Sequence, residues 1–235
     1  MSFSVMHRGE INPWKKLFSI NPEELAIEFD FYDLYSGDEK QLLIKLREVL
    51  GKLNRSDLSG PIYLIVRELL TNSLKATYKR IYLDFFLAEM GFSDLPYENW
   101  LSIFKTEIET HMAENFANLC RQKNLFVKFV MKPMDNGLLI EIINDGVPSD
   151  VEWVRLQKSI DQSRKVSNMG YIFDGDGDGD SGDKQQEGAG LGVPLITVML
   201  KNMNLSVNDF DVIRQDGHTI AKIFLPLGFF AKKGD

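Results

Sequence analysis

The sequence predicts a two-layer α/β domain, and three observations point to it. Residues 24–30 (ELAIEFD) alternate apolar and polar with the period of a strand. Residues 38–53 carry Leu42, Leu43, Leu46, Val49, Leu50 and Leu53 at helical spacing, so one stripe of that helix needs a sheet to lie on. The C-terminal half then reads as two hairpins, turned at Asp135-Asn136-Gly137 and Asp216-Gly217. Strands and helices that alternate in this way share one core.

The chain has 235 residues, 44% of them hydrophobic, enough for one sizeable core. The expected organisation is an arm at 1–22, a domain at 23–228 and a tail at 229–235. No apolar run has the length of a membrane span, and the opening MSFSVMHRGEINPWKK lacks the apolar stretch of a secretion signal, so the expected location is the cytoplasm with no membrane contact. Cys120 is the single cysteine and is expected as a buried or half-buried thiol. A formal charge of −7 argues against nucleic acid as a partner, because phosphate backbones need clustered Lys and Arg. Any bound anion has to be held locally.

The elements follow in order. Ser59-Gly60-Pro61 opens a second helix, since Ser or Gly caps and Pro is tolerated in the first turn. Its expected buried stripe is Ile62, Ile65, Val66, Leu69 and Ala76. A further helix is expected over 98–122, within a helical insert at about 80–122 that is rich in aromatics (Tyr82, Phe85, Phe86, Phe92, Tyr97, Trp100, Phe104). Aromatics at helical spacing read as added core in preference to a docking surface. Residues 125–132 and 137–143 form the first hairpin, 194–203 a helix, and 205–213 with 217–225 the closing hairpin.

The second helix also carries Glu68, Asn72, Lys75 and Lys79 at i, i+4, i+7 and i+11, one polar stripe bordering the apolar face. An amide oxygen is a hard Mg²⁺ ligand, a carboxylate one turn away polarises water, and Lys75 can meet phosphate oxygens. A plain solvated face is the competing reading. Gly188-Ala189-Gly190-Leu191-Gly192-Val193-Pro194 runs from a loop into a helix. Its backbone N–H groups and the helix N-terminus can cradle an anion, whereas the alternative is a turn that merely lets the helix pack closely. Gly177-Asp178-Gly179-Asp180-Ser181-Gly182 matches a dinucleotide fingerprint by letter, but its aspartates repel a pyrophosphate. Asp174 to Asp180 resembles the start of a calcium loop, yet Gln185 stands where the bidentate Glu belongs, and a solvated acidic loop is the better reading.

Glu68-Leu69-Leu70-Thr71-Asn72-Ser73-Leu74-Lys75-Ala76, Ile143-Asn144-Asp145-Gly146-Val147-Pro148 and Gly188-Ala189-Gly190-Leu191-Gly192 together resemble the N box and the two glycine boxes of the GHKL superfamily. That superfamily comprises gyrase-type and chaperone ATPases, histidine kinases and mismatch-repair ATPases. The resemblance spans about residues 24–228. It implies the Bergerat fold: a mixed, mostly antiparallel sheet covered on one face by helices, with ATP and Mg²⁺ between the helix layer and a flexible lid. By resemblance Asn72 is the metal ligand and Glu68 the general base. Lys75, Gly188, Gly190, Leu191 and Gly192 border the triphosphate, and Asn144, Asp145 and Gly146 meet the adenine. The lid is the acidic stretch at about 166–187.

Two positions depart from the superfamily pattern, Asn144 where Asp is usual and Pro148 where Gly is usual. A neutral amide accepts a hydrogen bond about half as strong as a carboxylate does, and Asp145 is the alternative acceptor. None of His7, His111 and His218 lies in a phospho-acceptor helix. The expected function is that of an ATP-dependent signalling kinase, either histidine-kinase-like or like the serine kinases that act as anti-sigma factors. It would act on a partner protein as phospho-acceptor, with homodimerisation left open. The alternative is a degenerate nucleotide-sensing interaction module without turnover, and a weaker third is a calcium-responsive adaptor.

Overall fold

Alternating apolar residues on the strands, read against their partners, generate a five-stranded sheet of order β1-β2-β3-β5-β4 in the computed structural model. The strands are β1 (Ile27–Phe31), β2 (Val127–Met134), β3 (Gly137–Asp145), β4 (Phe210–Gln215) and β5 (His218–Pro226). The structure describes residues 14, 19–33, 37–89, 99, 103, 104, 106, 113–165 and 192–230. Among them the helices are α1 (Gly37–Lys52), α2 (Ser59–Glu89), α3 (Ala113–Lys123), α4 (Asp150–Lys165), α5 (Gly192–Asn202) and the short α6 (Leu227–Phe230). The fold is α+β.

All four strand pairings are antiparallel, which corrects the expected mixed sheet. β1 runs parallel to β3, and β3 parallel to β4, but an antiparallel strand is inserted between the members of each pair. One face is apolar: Ile27, Phe31, Val127, Phe129, Met131, Leu138, Ile140 and Ile142 are buried there beneath α1 and α2. The opposite face carries ion pairs, Lys128 to Glu28 at 2.6 Å, and Lys132 and Lys222 to Glu141 at 2.6 and 3.3 Å. Burying each large side chain of the apolar face contributes about 2 kcal/mol.

Local chemistry sets the ends. α1, α3 and α5 all stop at an asparagine in the left-handed region, Asn54, Asn124 and Asn204 (φ 55°, 52° and 59°). The next N–H then reaches back into the last turn, Arg55 to Leu50 O at 2.8 Å, Leu125 to Cys120 O and Leu205 to Leu200 O at 2.9 Å. The strand expected at 24–30 starts only at Ile27. Pro22–Leu25 is a 3₁₀ turn capped by the Asn21 side chain, with Pro22 locking its first φ. The strand expected from 205 likewise starts at Phe210, because Ser206 and Asp209 form a capping box around a 3₁₀ turn.

α2 begins where Ser59-Gly60-Pro61 predicts and continues to Glu89, so the insert expected at 80–122 begins as a prolongation of this helix. Its buried stripe is Ile62, Ile65, Val66, Leu69, Leu70, Leu74, Tyr78, Ile81 and Tyr82. Ala76 is exposed, a correction to the expected stripe: it lies on the Asn72 side of the helix. Tyr82, Phe104 and Phe116 pack with centroids 5.3–6.1 Å apart, so the part of the insert that is described is core. Phe92, Tyr97 and Trp100, the side chains of Phe85 and Phe86, and most of residues 98–112 lie outside the described residues. α4 was not expected at all. Its few apolar residues hide the helical period, although Ser149-Asp150-Val151-Glu152 spells a capping box. It also shields the edge strand β4, because Gln157 Nε2 donates to Val212 O at 3.2 Å and Arg164 Nη2 to Phe210 O at 3.3 Å.

Trp14 and Phe230 pack against each other at 5.9 Å, so the core takes in residues from the segments read as arm and tail.

Candidate functional site

The polar stripe of α2 faces the start of α5. Asn72 Nδ2 donates to Glu68 Oε1 at 3.1 Å, one turn apart. A Cβ added to Gly192, the first residue of α5, would lie 2.6 Å from Glu68 Oε1 and 2.9 Å from Asn72 Nδ2. Only a hydrogen fits there without moving those groups. The contact between α2 and α5 therefore brings Glu68, Asn72 and Gly192 together from segments more than a hundred residues apart. The hydrogen bond uses the amide nitrogen of Asn72 and leaves its Oδ1 with no hydrogen bond among the described residues. Lys75 is exposed one turn on and has no ion pair among them.

The other end of the stripe holds the loop that follows β3. Asn144 is only 6% exposed and stands on the helix side of the sheet, in register with Val127 and Thr219. Thr219 Oγ1 donates to Gly146 O at 2.6 Å. Arg80 Nη1 donates to Asp145 O at 3.1 Å. Gly146 has a φ of 155°, which disfavours any side chain. Lys79 pairs with Glu152, whose other oxygen accepts from both Ser149 N and Ser149 Oγ at 2.9 Å. Arg214 Nη2 donates to Ser149 O at 3.1 Å and Nη1 to Asp150 Oδ1 at 3.0 Å, and its guanidinium lies 4.4 Å from the Trp153 ring centroid. Residues 145–152 are thus held by Lys79, Arg80 and Arg214.

Asp145 faces away from the α2 side of the sheet. Successive strand residues point to opposite faces, so its carboxylate faces the ion-paired side, where Oδ1 lies 2.9 Å from His218 Nδ1. Asp145, expected as an alternative adenine acceptor, thus stands on the face opposite Asn144, which is the side chain at this position on the helix side. Gly188, Gly190, Leu191, the lid at 166–187 with its Asp174 to Asp180 run, and His7 and His111 lie outside the described residues.

Sequence reasoning missed Thr219, Arg80 and Arg214. The Asp216-Gly217 turn was readable, and counting back along its hairpin would have placed Thr219 beside β3, but which β3 residue it faces depends on the packed register. Arg80 and Arg214 act on backbone carbonyls, a role that leaves no motif. No cluster of three or more His, Cys, Asp or Glu arranged to hold a metal occurs among the described residues. An ion held by one protein amide and by phosphate oxygens needs none. Away from this site, burial pushes the Cys120 thiol up to about 11, so it is an unreactive core group.

No family model matches the chain, and no solved structure matches it. An uncharacterized protein of Treponema pallidum (strain Nichols) is 26% identical over 201 residues, which cover 83% of this chain and 35% of the relative. The chain therefore spans about a third of the length of the curated relative it matches. Among the described residues no helix is long and apolar enough to cross a membrane.

Proposed function

We propose that the chain is a Bergerat-type domain that binds ATP with Mg²⁺ and serves a cytoplasmic signalling pathway as the kinase catalytic unit of the histidine-kinase-like class. The reading rests chiefly on one observation, the approach of Gly192 to Glu68 and Asn72. A helix N-terminus beside an amide and a carboxylate suits a metal-bound polyphosphate: backbone N–H groups and the helix dipole meet the anion, and the amide oxygen meets the metal. The Oδ1 atom of Asn72 fits a Mg²⁺ ligand, and Glu68, hydrogen-bonded to the same side chain, is the carboxylate that would orient a nucleophile. The bound ion would supply charge neutralisation of the phosphates. Asn144 is the side chain that supports adenine recognition, aided by Thr219 through Gly146. The phosphate acceptor would be a separate protein or another part of a longer chain.

Calorimetric titration with ATP, with and without Mg²⁺, tests the reading on the parent and on Asn72→Ala. Binding that needs Mg²⁺ and is lost in the variant is expected; a flat titration of the parent ends the proposal.

The second reading, a nucleotide sensor without turnover, is favoured by the neutral Asn144 at the adenine position. Glu68→Gln separates the two. Under the kinase reading it abolishes phosphate transfer and keeps binding, and under the sensor reading it changes neither partner binding nor nucleotide affinity.

A further inference from the structure

On the ion-paired face of the sheet, opposite Asn144, lies a cavity of about 310 Å³. Its floor is apolar, formed by Phe126, Ile143 and Ile220, and its rim carries Asp145 and Asp216. The one ammonium on that rim, Lys128, is already committed to β1, 2.6 Å from Glu28 and 3.8 Å from Asp30. His218 Nδ1 lies 2.9 Å from Asp145 Oδ1, without a well-directed hydrogen bond. Arg80 touches only the backbone carbonyl of Asp145, so among the described residues His218 is the basic side chain beside that carboxylate, and Asp216 Oδ2 accepts from Gln215 Nε2 at 3.2 Å. The lining therefore combines three apolar side chains with two carboxylates against one ammonium and one imidazole. Its ring chemistry already accommodates a cation, since Lys128 Nζ lies 5.8 Å from the Phe126 centroid.

We propose that this cavity is a second ligand site, for an amidinium or guanidinium group on a short apolar stem, with Phe126, Ile143 and Ile220 holding the stem and Asp145 and Asp216 holding the charge. The volume is at the lower end of the range of small-molecule sites. A planar forked cation suits two carboxylates better than a point charge does. The site stands independently of the nucleotide reading, which concerns the opposite face of the sheet.

Titration of the full chain, labelled at its isoleucine methyls, tests the site with benzamidine and with the uncharged benzamide as probes. Benzamidine should shift the Ile143 and Ile220 methyls saturably, and benzamide should bind at least tenfold more weakly. Asp216→Asn keeps the hairpin, because Asn-Gly suits this turn as well as Asp-Gly does; it should weaken benzamidine about threefold, and Asp145→Asn about fivefold. Two further probes distinguish the source of the cation. Tighter binding of a glycine-flanked arginine peptide than of acetyl-argininamide assigns the site to a partner chain, and equal binding assigns it to a free small cation. Shifts that never saturate, equal binding of benzamide, or parental affinity in both aspartate variants would overturn the proposal.

Discussion

The two ends of the α2 stripe are built differently. At Glu68 and Asn72 one hydrogen bond within the helix and one glycine contact define the geometry, and the polar atoms stay accessible. At residues 145–152 three cations, Lys79, Arg80 and Arg214, tie down a loop, and Asn144 is buried beside it. A group that must exchange ligands or a metal cannot be saturated by its own protein, whereas a group that recognises shape gains from being held rigid. Under the proposed nucleotide reading, the first is the chemical end of the stripe and the second the recognition end.

Four variants or conditions sharpen that contrast, beginning with the accessible end. Asn72→Ala is expected to weaken Mg²⁺-dependent ATP binding by about a hundredfold, about 2.7 kcal/mol, while its urea midpoint stays within experimental error of the parent. A large loss of stability instead would make Asn72 a structural residue. Arg214→Ala, at the rigid end, should behave in the opposite way. Losing two hydrogen bonds and a stacked ring from a side chain that is 25% exposed costs about 2 kcal/mol in urea denaturation. Gly192→Ala comes next. Its Cβ meets only the tips of Glu68 and Asn72, which can swing aside, so stability should be nearly unchanged while ATP affinity drops about tenfold, about 1.4 kcal/mol. Unaltered affinity would show that α5 does not shape the site.

The smallest effect lies away from both ends and serves as a control. Burial, with the hydrogen bond and charge of Glu39, pushes the Tyr63 phenol from its ordinary value of 10.0 up to about 12. The protonated form is the one the fold favours, so its contribution is intact below the ordinary tyrosine value and fades as pH rises towards 12. Phenolate absorbance of the folded chain should show one tyrosine titrating late, and Glu39→Gln should bring it back towards its usual range without altering nucleotide binding.

Much of the architecture is legible in the sequence alone. The Asp135-Asn136 and Asp216-Gly217 turns, the start of α2 and the leucine stripe of α1 all depend on interactions spanning a few residues. The errors have the same origin: Pro22 and Ser206 impose local turns that an apolar count ignores, and α4 is too polar to show its period, although its capping box was in plain view. At the site, the residue types along α2 and the glycine that opens α5 could be picked out, but not that Asp145 turns away. Strand alternation alone would have predicted that, had Asn144 been recognised as the buried position.

The sequence by itself determined which segments become strands, turns and helices, and which polar groups border the apolar stripe of α2, because propensity, periodicity and capping act between near neighbours. Only the tertiary structure decided that Gly192 closes on Glu68 and Asn72, that Thr219 stands beside Asn144, and that Arg80 and Arg214 grip the loop between them. Those contacts join residues far apart in the chain, and their geometry is set by how the helices seat on a finished sheet.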